Sequence, residues 1–179
     1  MYLKVSVIVK DMATIFQVFY LMIPAYLANM APPVLAKYSP WNAPMDFGFS
    51  FGKIRIFGDH KTWAGFVIGV VVAVLAGFIL SRLYWPFDFS ALTWSALVGC
   101  GALIGDAVKS FFKRRVGIKS GKPWIPFDQI DYTVGALVFG SIVFFPGGLY
   151  AFLVVFISAF GHIATNHIGY WLGVRDVKW

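Results

Sequence analysis

A polar stripe interrupts the apolar sequence near the middle of the chain. Its members recur at i, i+3, i+4, i+7 and i+8 of a predicted helix and therefore share one face; they are Asp106, Lys109, Ser110, Lys113 and Arg114. Charge beside an apolar span is costly and marks a functional site by default. The stripe predicts an inward-facing polar site at one end of a helix.

Two more carboxylates follow the stripe across a short loop. Asp128 and Asp131 lie one turn apart at the start of the next predicted helix. Opposed to Asp106 across a helix interface, their oxygens could hold a hard cation such as Mg²⁺. The neighbouring Lys and Arg side chains would bind phosphate oxygens. The pattern indicates chemistry on a phosphorylated substrate.

A structural interpretation competes with this one. Asp128 could cap its helix, Asp131 could favour the helix dipole, and the basic run 113–115 could orient the chain in a membrane. Asp106 fits that interpretation least well, because it lies within the apolar run and needs a partner such as Lys109 or a metal ion.

A second polar segment, roughly residues 37–62, precedes the second predicted helix. Asp46 and Lys53 lie among its glycines, and the segment ends in Lys61 and Thr62. Glycines let the backbone approach a phosphate, and Lys61 beside Thr62 at a helix start offers a cation, a hydroxyl and backbone amides together. The spacing is not that of a P-loop.

Three other candidate polar residues lie outside both polar segments. His162 and His167 are five residues apart, and this spacing is poor for binding one metal ion from one helical face. Asn29 could cap the first helix or contact the nucleotide, and both interpretations remain open.

The elements that position these residues are membrane spans. The chain has 179 residues, 59% of them hydrophobic and 13% charged, and its mean hydropathy is +0.75. Such a composition excludes a soluble globular domain. The net charge of +7 lies beside apolar spans, where lipid headgroups or a phosphate-bearing substrate are better partners than nucleic acid. The single Cys100 excludes an internal disulfide and a cysteine metal site.

The apolar runs predict an all-α integral membrane protein with about five transmembrane helices in a single catalytic domain, 1–179. Prolines 32 and 33 are expected to end the first helix. The two long polar loops should lie on one face of the membrane and form the site. The predicted spans are 12–30, 63–82, 89–112, 129–145 and 149–172, and the loops are 37–62 and 113–128.

Loop charges predict the orientation in the cell membrane. With the N-terminus outside, twelve Lys and Arg residues fall inside and three outside, which is a strong positive-inside bias. The two loops and the C-terminus are then cytoplasmic.

Motifs in both loops resemble the signature of the membrane CTP:phosphatidate cytidylyltransferases. The resemblance runs from Asp46 to Asp131, and its residues occur in the same order as in that family: Asp46, Gly48, Gly52, Lys53, Lys61, Thr62, Trp63, Gly65, Gly105, Asp106, Ser110, Lys113, Arg114, Gly117, Ile118, Pro126, Asp128, Gln129, Ile130 and Asp131. A His-Gly-Gly segment before the Asp pair is absent, and Gln129 replaces a common Arg. These departures resemble the archaeal branch, the CDP-archaeol synthases.

The resemblance implies transfer of CMP from CTP to an unsaturated isoprenoid ether lipid phosphate in the bilayer. It implies that Mg²⁺ is held by Asp106, Asp128 and Asp131. Lys109, Lys113 and Arg114 would bind phosphates. The nucleotide would be bound by Asp46, Lys53, Lys61, Thr62 and Ser110. The resemblance is also compatible with a homo-oligomer.

Two other functions remain open on the residues alone. A transporter or channel could use the intramembrane Asp and Lys side chains as an ion path. A CDP-alcohol phosphotransferase is also a Mg²⁺-dependent membrane lipid enzyme, but its Asp-Gly-x-x-Ala-Arg pattern does not occur in the sequence.

Overall fold

The computed structural model describes the backbone of residues 2–52, 54–58, 60–119 and 122–173, and side chains in these ranges from Thr14 onward, except at residue 37. The described chain forms five α-helices, one 3-10 turn (Ala36–Tyr38) and one small hairpin. The helices are α1 (Tyr2–Leu35), α2 (Trp63–Leu83), α3 (Ala91–Arg115), α4 (Phe127–Gly140) and α5 (Gly148–Trp171). The antiparallel hairpin consists of β1 (Ser50–Phe51) and β2 (Ile54–Arg55).

Four of these helices are long and apolar enough to cross a membrane: 14–35 of α1, and α2, α3 and α5. The predicted all-helical membrane fold is therefore confirmed. The fourth helix has 14 residues and is about 21 Å long at 1.5 Å per residue, shorter than the hydrocarbon core of about 30 Å.

The first helix does not end before its prolines, so the predicted range 12–30 is too short at both ends. Pro32 has no N–H to donate to the carbonyl of Ala28 four residues earlier. That carbonyl oxygen faces Gly69 of α2, where a Cβ would come within 2.8 Å of it. The carbonyl that Pro32 leaves without its usual helical donor therefore lies against a glycine of α2.

The boundaries of α3 and α4 also differ from the predicted spans. The third helix begins after Ser90, whose hydroxyl accepts from the N–H of Thr93, and continues to Arg115 rather than 112. The fourth helix starts at Phe127 and ends at Gly140 rather than 145. A Cβ at Gly140 would lie 2.8 Å from the ring of Trp94, so the indole of α3 occupies the space at the end of α4.

Helix α3 lies at the centre of the bundle and packs against α1, α2 and α4. At the end away from the polar loops, the buried Trp94 donates its indole N–H to the carbonyl of Leu21, at 2.7 Å. Three glycines, Gly101 and Gly105 on α3 and Gly135 on α4, bring these two helices into backbone contact. This close approach sets the position of the α4 carboxylates relative to α3.

Gly135→Ala tests that contact. The added methyl would overlap the Gly101 carbonyl and lie 2.9 Å from the Gly105 Cα, and backbone atoms cannot move aside as a flexible side chain can. We expect a loss of about 1–3 kcal/mol in the free energy of unfolding, as for other overpacked positions, measured by thermal unfolding in detergent. Gly161→Ala on α5 is the control, because its methyl meets open space; an equal loss in both variants would contradict the prediction.

Candidate active site

Lys109 lies at the centre of a cluster of three carboxylates. Its Nζ is 3.2 Å from Asp106 Oδ1, 2.5 Å from Asp128 Oδ1 and 3.0 Å from Asp131 Oδ2. The lysine side chain is only 13% exposed. The predicted stripe on α3 and the carboxylate pair on α4 thus converge on one point.

Lys113 approaches the same cluster from the next turn of α3. Its Nζ lies 2.9 Å from Asp128 Oδ1 and 2.7 Å from Oδ2. Asp128 also accepts from the backbone N–H of Trp124, at 2.5 Å. The N-cap position of α4 is Pro126, with no side-chain cap, and Asp128 lies within the first turn. The predicted capping role of Asp128 is therefore wrong, and its carboxylate instead binds the loop that precedes the helix.

The first polar loop reaches the cluster through Lys61. The Lys61 ammonium pairs with Asp106 Oδ2, whereas Lys109 pairs with Oδ1 of the same carboxylate. Thr62 caps α2, because its hydroxyl oxygen accepts from the N–H of Gly65 at 3.1 Å. Ser110 is 4% exposed on the same helix face as Asp106 and Lys113. The two loops therefore form one site at the end of the bundle where α3 ends and α4 begins.

Asp46 organises the first loop from within. It accepts hydrogen bonds from Arg55 and from the backbone N–H groups of Gly48, Phe57 and Gly58. Burial raises the pKa of this carboxyl, but the Arg55 and backbone hydrogen bonds outweigh burial and lower the pKa to about 2. The resulting stabilisation of the loop is complete above the ordinary carboxyl pKa and is lost as the pH falls toward 2. Its contacts are those of a loop-positioning residue.

Arg114 takes no part in the ion pairs described for the acidic cluster. Its Nη1 donates to the carbonyl of Ile118 at 2.5 Å, and its Nε lies near Gly58, which has a φ of +95°. The remaining predicted nucleotide contact, Lys53, lies outside the described residues.

The carboxylates fit a hard cation by their chemistry. They supply oxygen ligands, and ammonium groups hold them around a common point. No group of three or more His, Cys, Asp or Glu in the described ranges is arranged to hold a metal ion by itself. Mg²⁺ in phosphoryl-transfer sites usually takes only one or two carboxylates and completes its shell with phosphates and water. The donor set therefore suits a magnesium ion that arrives with a phosphate substrate.

A groove of about 550 Å³ runs between α3 and α4 and opens on the outside of the bundle. Its walls are almost wholly apolar and include Ile104, Phe112, Phe127 and Val134, whereas Lys109 and Asp131 also line it. An apolar surface thus leads to the charged cluster. The glycines at the contact between α3 and α4, which lack side chains, form part of the groove lining. Hydrophobic runs in the sequence do not reveal this feature.

A second cleft, of about 290 Å³, lies between α1, α4 and α5 and includes Asn29 and His162 in its lining. His162 packs against the Tyr132 ring at 5.5 Å. His167 donates from Nδ1 to the carbonyl of Ile163. The two histidines therefore have separate surroundings.

Two basic residues that were not predicted as site residues, Arg55 and Arg115, also contact the first loop. Arg55 pairs with Asp46 at 2.5 Å, and Arg115 donates to the carbonyls of Arg55 and Ile56. A loop that buries one Asp needs a cation, and this requirement could have identified Arg55.

Known proteins are similar to this chain in both sequence and architecture. The family model described as CarS-like: CDP-archaeol synthase matches residues 11–179. The CDP-archaeol synthase of Thermofilum pendens is 38% identical over 88% of this chain and 78% of that protein. The enzyme of the same name from Pyrococcus furiosus is 36% identical over 94% of this chain and 100% of its own length.

A solved intramembrane enzyme of archaeal membrane lipid biosynthesis has a similar fold. It superposes with a TM-score of 0.75 and 30% identity over 85% of this chain and 94% of that structure. The match supports a multi-pass membrane protein, in agreement with the four candidate spans. With a family match over nearly its whole length and relatives that share more than a third of its residues, the chain belongs to the CDP-archaeol synthase family.

Proposed function

We propose that this protein transfers CMP from CTP to an isoprenoid ether lipid phosphate in a Mg²⁺-dependent reaction at the cytoplasmic face of the cell membrane. A lipid phosphate oxygen attacks the α-phosphorus of CTP, and pyrophosphate leaves. The observation that carries the proposal is the meeting of an apolar groove, open to the outside of the bundle, with a cluster of three aspartates and three lysines.

The nucleophile is already an anion near neutral pH, so the site needs no strong general base. Charge neutralisation and alignment supply most of the rate in such transfers. Lys109 lines the groove, and Lys113 contacts the same Asp128 carboxylate as Lys109. Both lysines would hold the lipid phosphate. Lys61, at the start of α2, would exchange its contact with Asp106 for a CTP phosphate.

Asp106, Asp128 and Asp131 would hold Mg²⁺, which when bound neutralises phosphate charge and polarises the phosphorus centre. Phosphates would complete the set of oxygen ligands, because the three carboxylates do not enclose a metal site by themselves. Asp46 acts indirectly, by holding the loop that presents Lys61.

The α3–α4 groove would hold an isoprenoid chain. Its volume and apolar walls suit a branched hydrocarbon, and because Lys109 and Asp131 also line it, a phosphate headgroup would lie beside the charged cluster. A lipid could then enter sideways from the bilayer without leaving the hydrocarbon.

The proposal is tested with purified protein in detergent, labelled CTP, Mg²⁺ and either an ether or an ester lipid phosphate. We expect lipid-linked CMP and pyrophosphate in equal amounts, with faster turnover on the ether lipid. Lys61→Ala should raise the KM for CTP, whereas His60→Ala, at an exposed neighbouring position, should not. The absence of product with both lipids would exclude the proposed reaction, and an ion flux in sealed vesicles would favour a channel.

A further inference from the structure

The β1–β2 hairpin presents apolar side chains to the outside of the molecule. Phe49 and Phe51 are 69% and 78% exposed, and Ile54, which pairs with Phe51, is also exposed. At the base of the same hairpin, Asp46 is buried. Exposed aromatic and aliphatic side chains that lie together on a hairpin indicate an interaction surface.

Arg115 fixes where this hairpin lies. Its Nη1 donates to the carbonyls of Arg55 at 3.0 Å and Ile56 at 3.2 Å. Its guanidinium lies 4.0 Å from the ring centre of Phe111 and 5.8 Å from that of Phe51. One arginine thus ties β2 and the aromatic ring of β1 to the last turns of α3.

The face of α3 that receives the hairpin is the outer one. At 100° per residue, Phe111 and Arg115 lie about 140° and 180° around the helix from Asp106. The Asp106 face points into the bundle, toward the acidic cluster. Val108, which shares the outer face with Arg115, is exposed. The hairpin therefore continues the lipid-facing surface of a membrane span at the end of the bundle that carries the site.

We propose that Phe49, Phe51 and Ile54 insert into the headgroup region of the bilayer leaflet nearest the site. Aromatic side chains favour this depth, and Arg55 and Arg115 at the base of the hairpin would lie near anionic lipid phosphates. The continuity of the patch with the outer face of α3 selects the bilayer as the occupant. This inference does not depend on the proposed reaction.

Membrane insertion of the hairpin has a consequence for the site. Arg55 of β2 binds Asp46 at 2.5 Å, and Asp46 in turn accepts from the N–H of Gly58, three residues before Lys61. The anchored hairpin therefore holds the loop that presents Lys61 to Asp106. The depth of the hairpin in the membrane and the position of Lys61 are therefore linked through these contacts.

The test measures the depth of a probe at position 51 in vesicles of phosphatidylcholine and phosphatidylglycerol. Cys100→Ala removes the native thiol, and Phe51→Cys then carries a nitrobenzoxadiazole label. We expect blue-shifted emission and, with a nitroxide lipid labelled near the headgroup, quenching at least about twofold greater than at the control His60→Cys on the same loop. Arg115→Ala should reduce the difference between the two positions, because it releases the hairpin from α3.

Two outcomes would overturn the inference. Water-like emission with equal quenching at positions 51 and 60 would show a hairpin outside the bilayer. Disulfide formation between two Phe51→Cys copies, with quenching that depends on the protein-to-lipid ratio, would show that a second copy covers the patch. Phe49→Cys provides an independent reading at a second exposed position of the hairpin.

Discussion

Replacing Asp128 with Asn is expected to lower turnover by about 1000-fold or more, the scale seen when a charge-stabilising group of a transfer site is removed. Asp128 contacts Lys109, Lys113 and the Trp124 N–H through its two oxygens. The amide keeps the shape but loses the negative charge. Both ammonium groups then face a neutral side chain, and one proposed metal ligand is lost.

Asp88→Asn is the matched control for this change. Asp88 is an exposed carboxylate in the turn between α2 and α3, at the opposite end of the bundle. The turnover of the Asp88→Asn protein should therefore equal that of the parent. The measurement is the rate of lipid-linked CMP formation at saturating CTP and lipid. Turnover of the Asp128→Asn protein close to that of the parent would remove Asp128 from the reacting site.

Lys109→Met is expected to destabilise the protein by about 3–5 kcal/mol in the presence of a chelator, as when one member of a buried ionic network is removed. The variant keeps most of the apolar stem but loses the ammonium group that lies between three carboxylates. Asp106, Asp128 and Asp131 then repel one another across a low-dielectric space.

Added Mg²⁺ should restore part of the lost stability, because a cation can replace the ammonium among the same oxygens. The readout is the midpoint of thermal unfolding in detergent, with EDTA and with MgCl₂. Lys122→Met, at an exposed lysine of the α3–α4 loop, serves as the control. Its midpoint of thermal unfolding should stay close to that of the parent in both EDTA and MgCl₂. A Lys109→Met protein as stable as the parent in EDTA would show that the carboxylates do not depend on this lysine.

Helical periodicity predicted which residues of the site lie together, and the reason is geometric. Spacing along α3 fixes the face that Asp106, Lys109 and Lys113 share, and a short loop returns the chain to the same depth at Asp128. These relations hold for any helix pair joined in this way. Periodicity cannot show that one ammonium contacts all three carboxylates, since this depends on the distance between α3 and α4.

The first loop was predicted less well. The position of Lys61 near the site follows from Thr62, which lies at the start of a helix. The contacts of Asp46 with Arg55 and with backbone N–H groups depend on the turns of the loop, which have no regular sequence period. The hairpin was not predicted for the same reason. The continuation of α1 through Pro32 and Pro33 was not predicted, because a local rule for proline takes no account of packing against other helices, such as the contact of α1 with Gly69 of α2.

The lysine-bridged cluster also bears on how the protein is made. Three aspartates near the end of membrane helices would oppose insertion of the newly synthesised chain, since uncompensated charge enters hydrocarbon at high cost. Lys61, Lys109 and Lys113 offset that charge from within the chain. Insertion and folding can then be completed before the nucleotide and Mg²⁺ of the proposed reaction are bound.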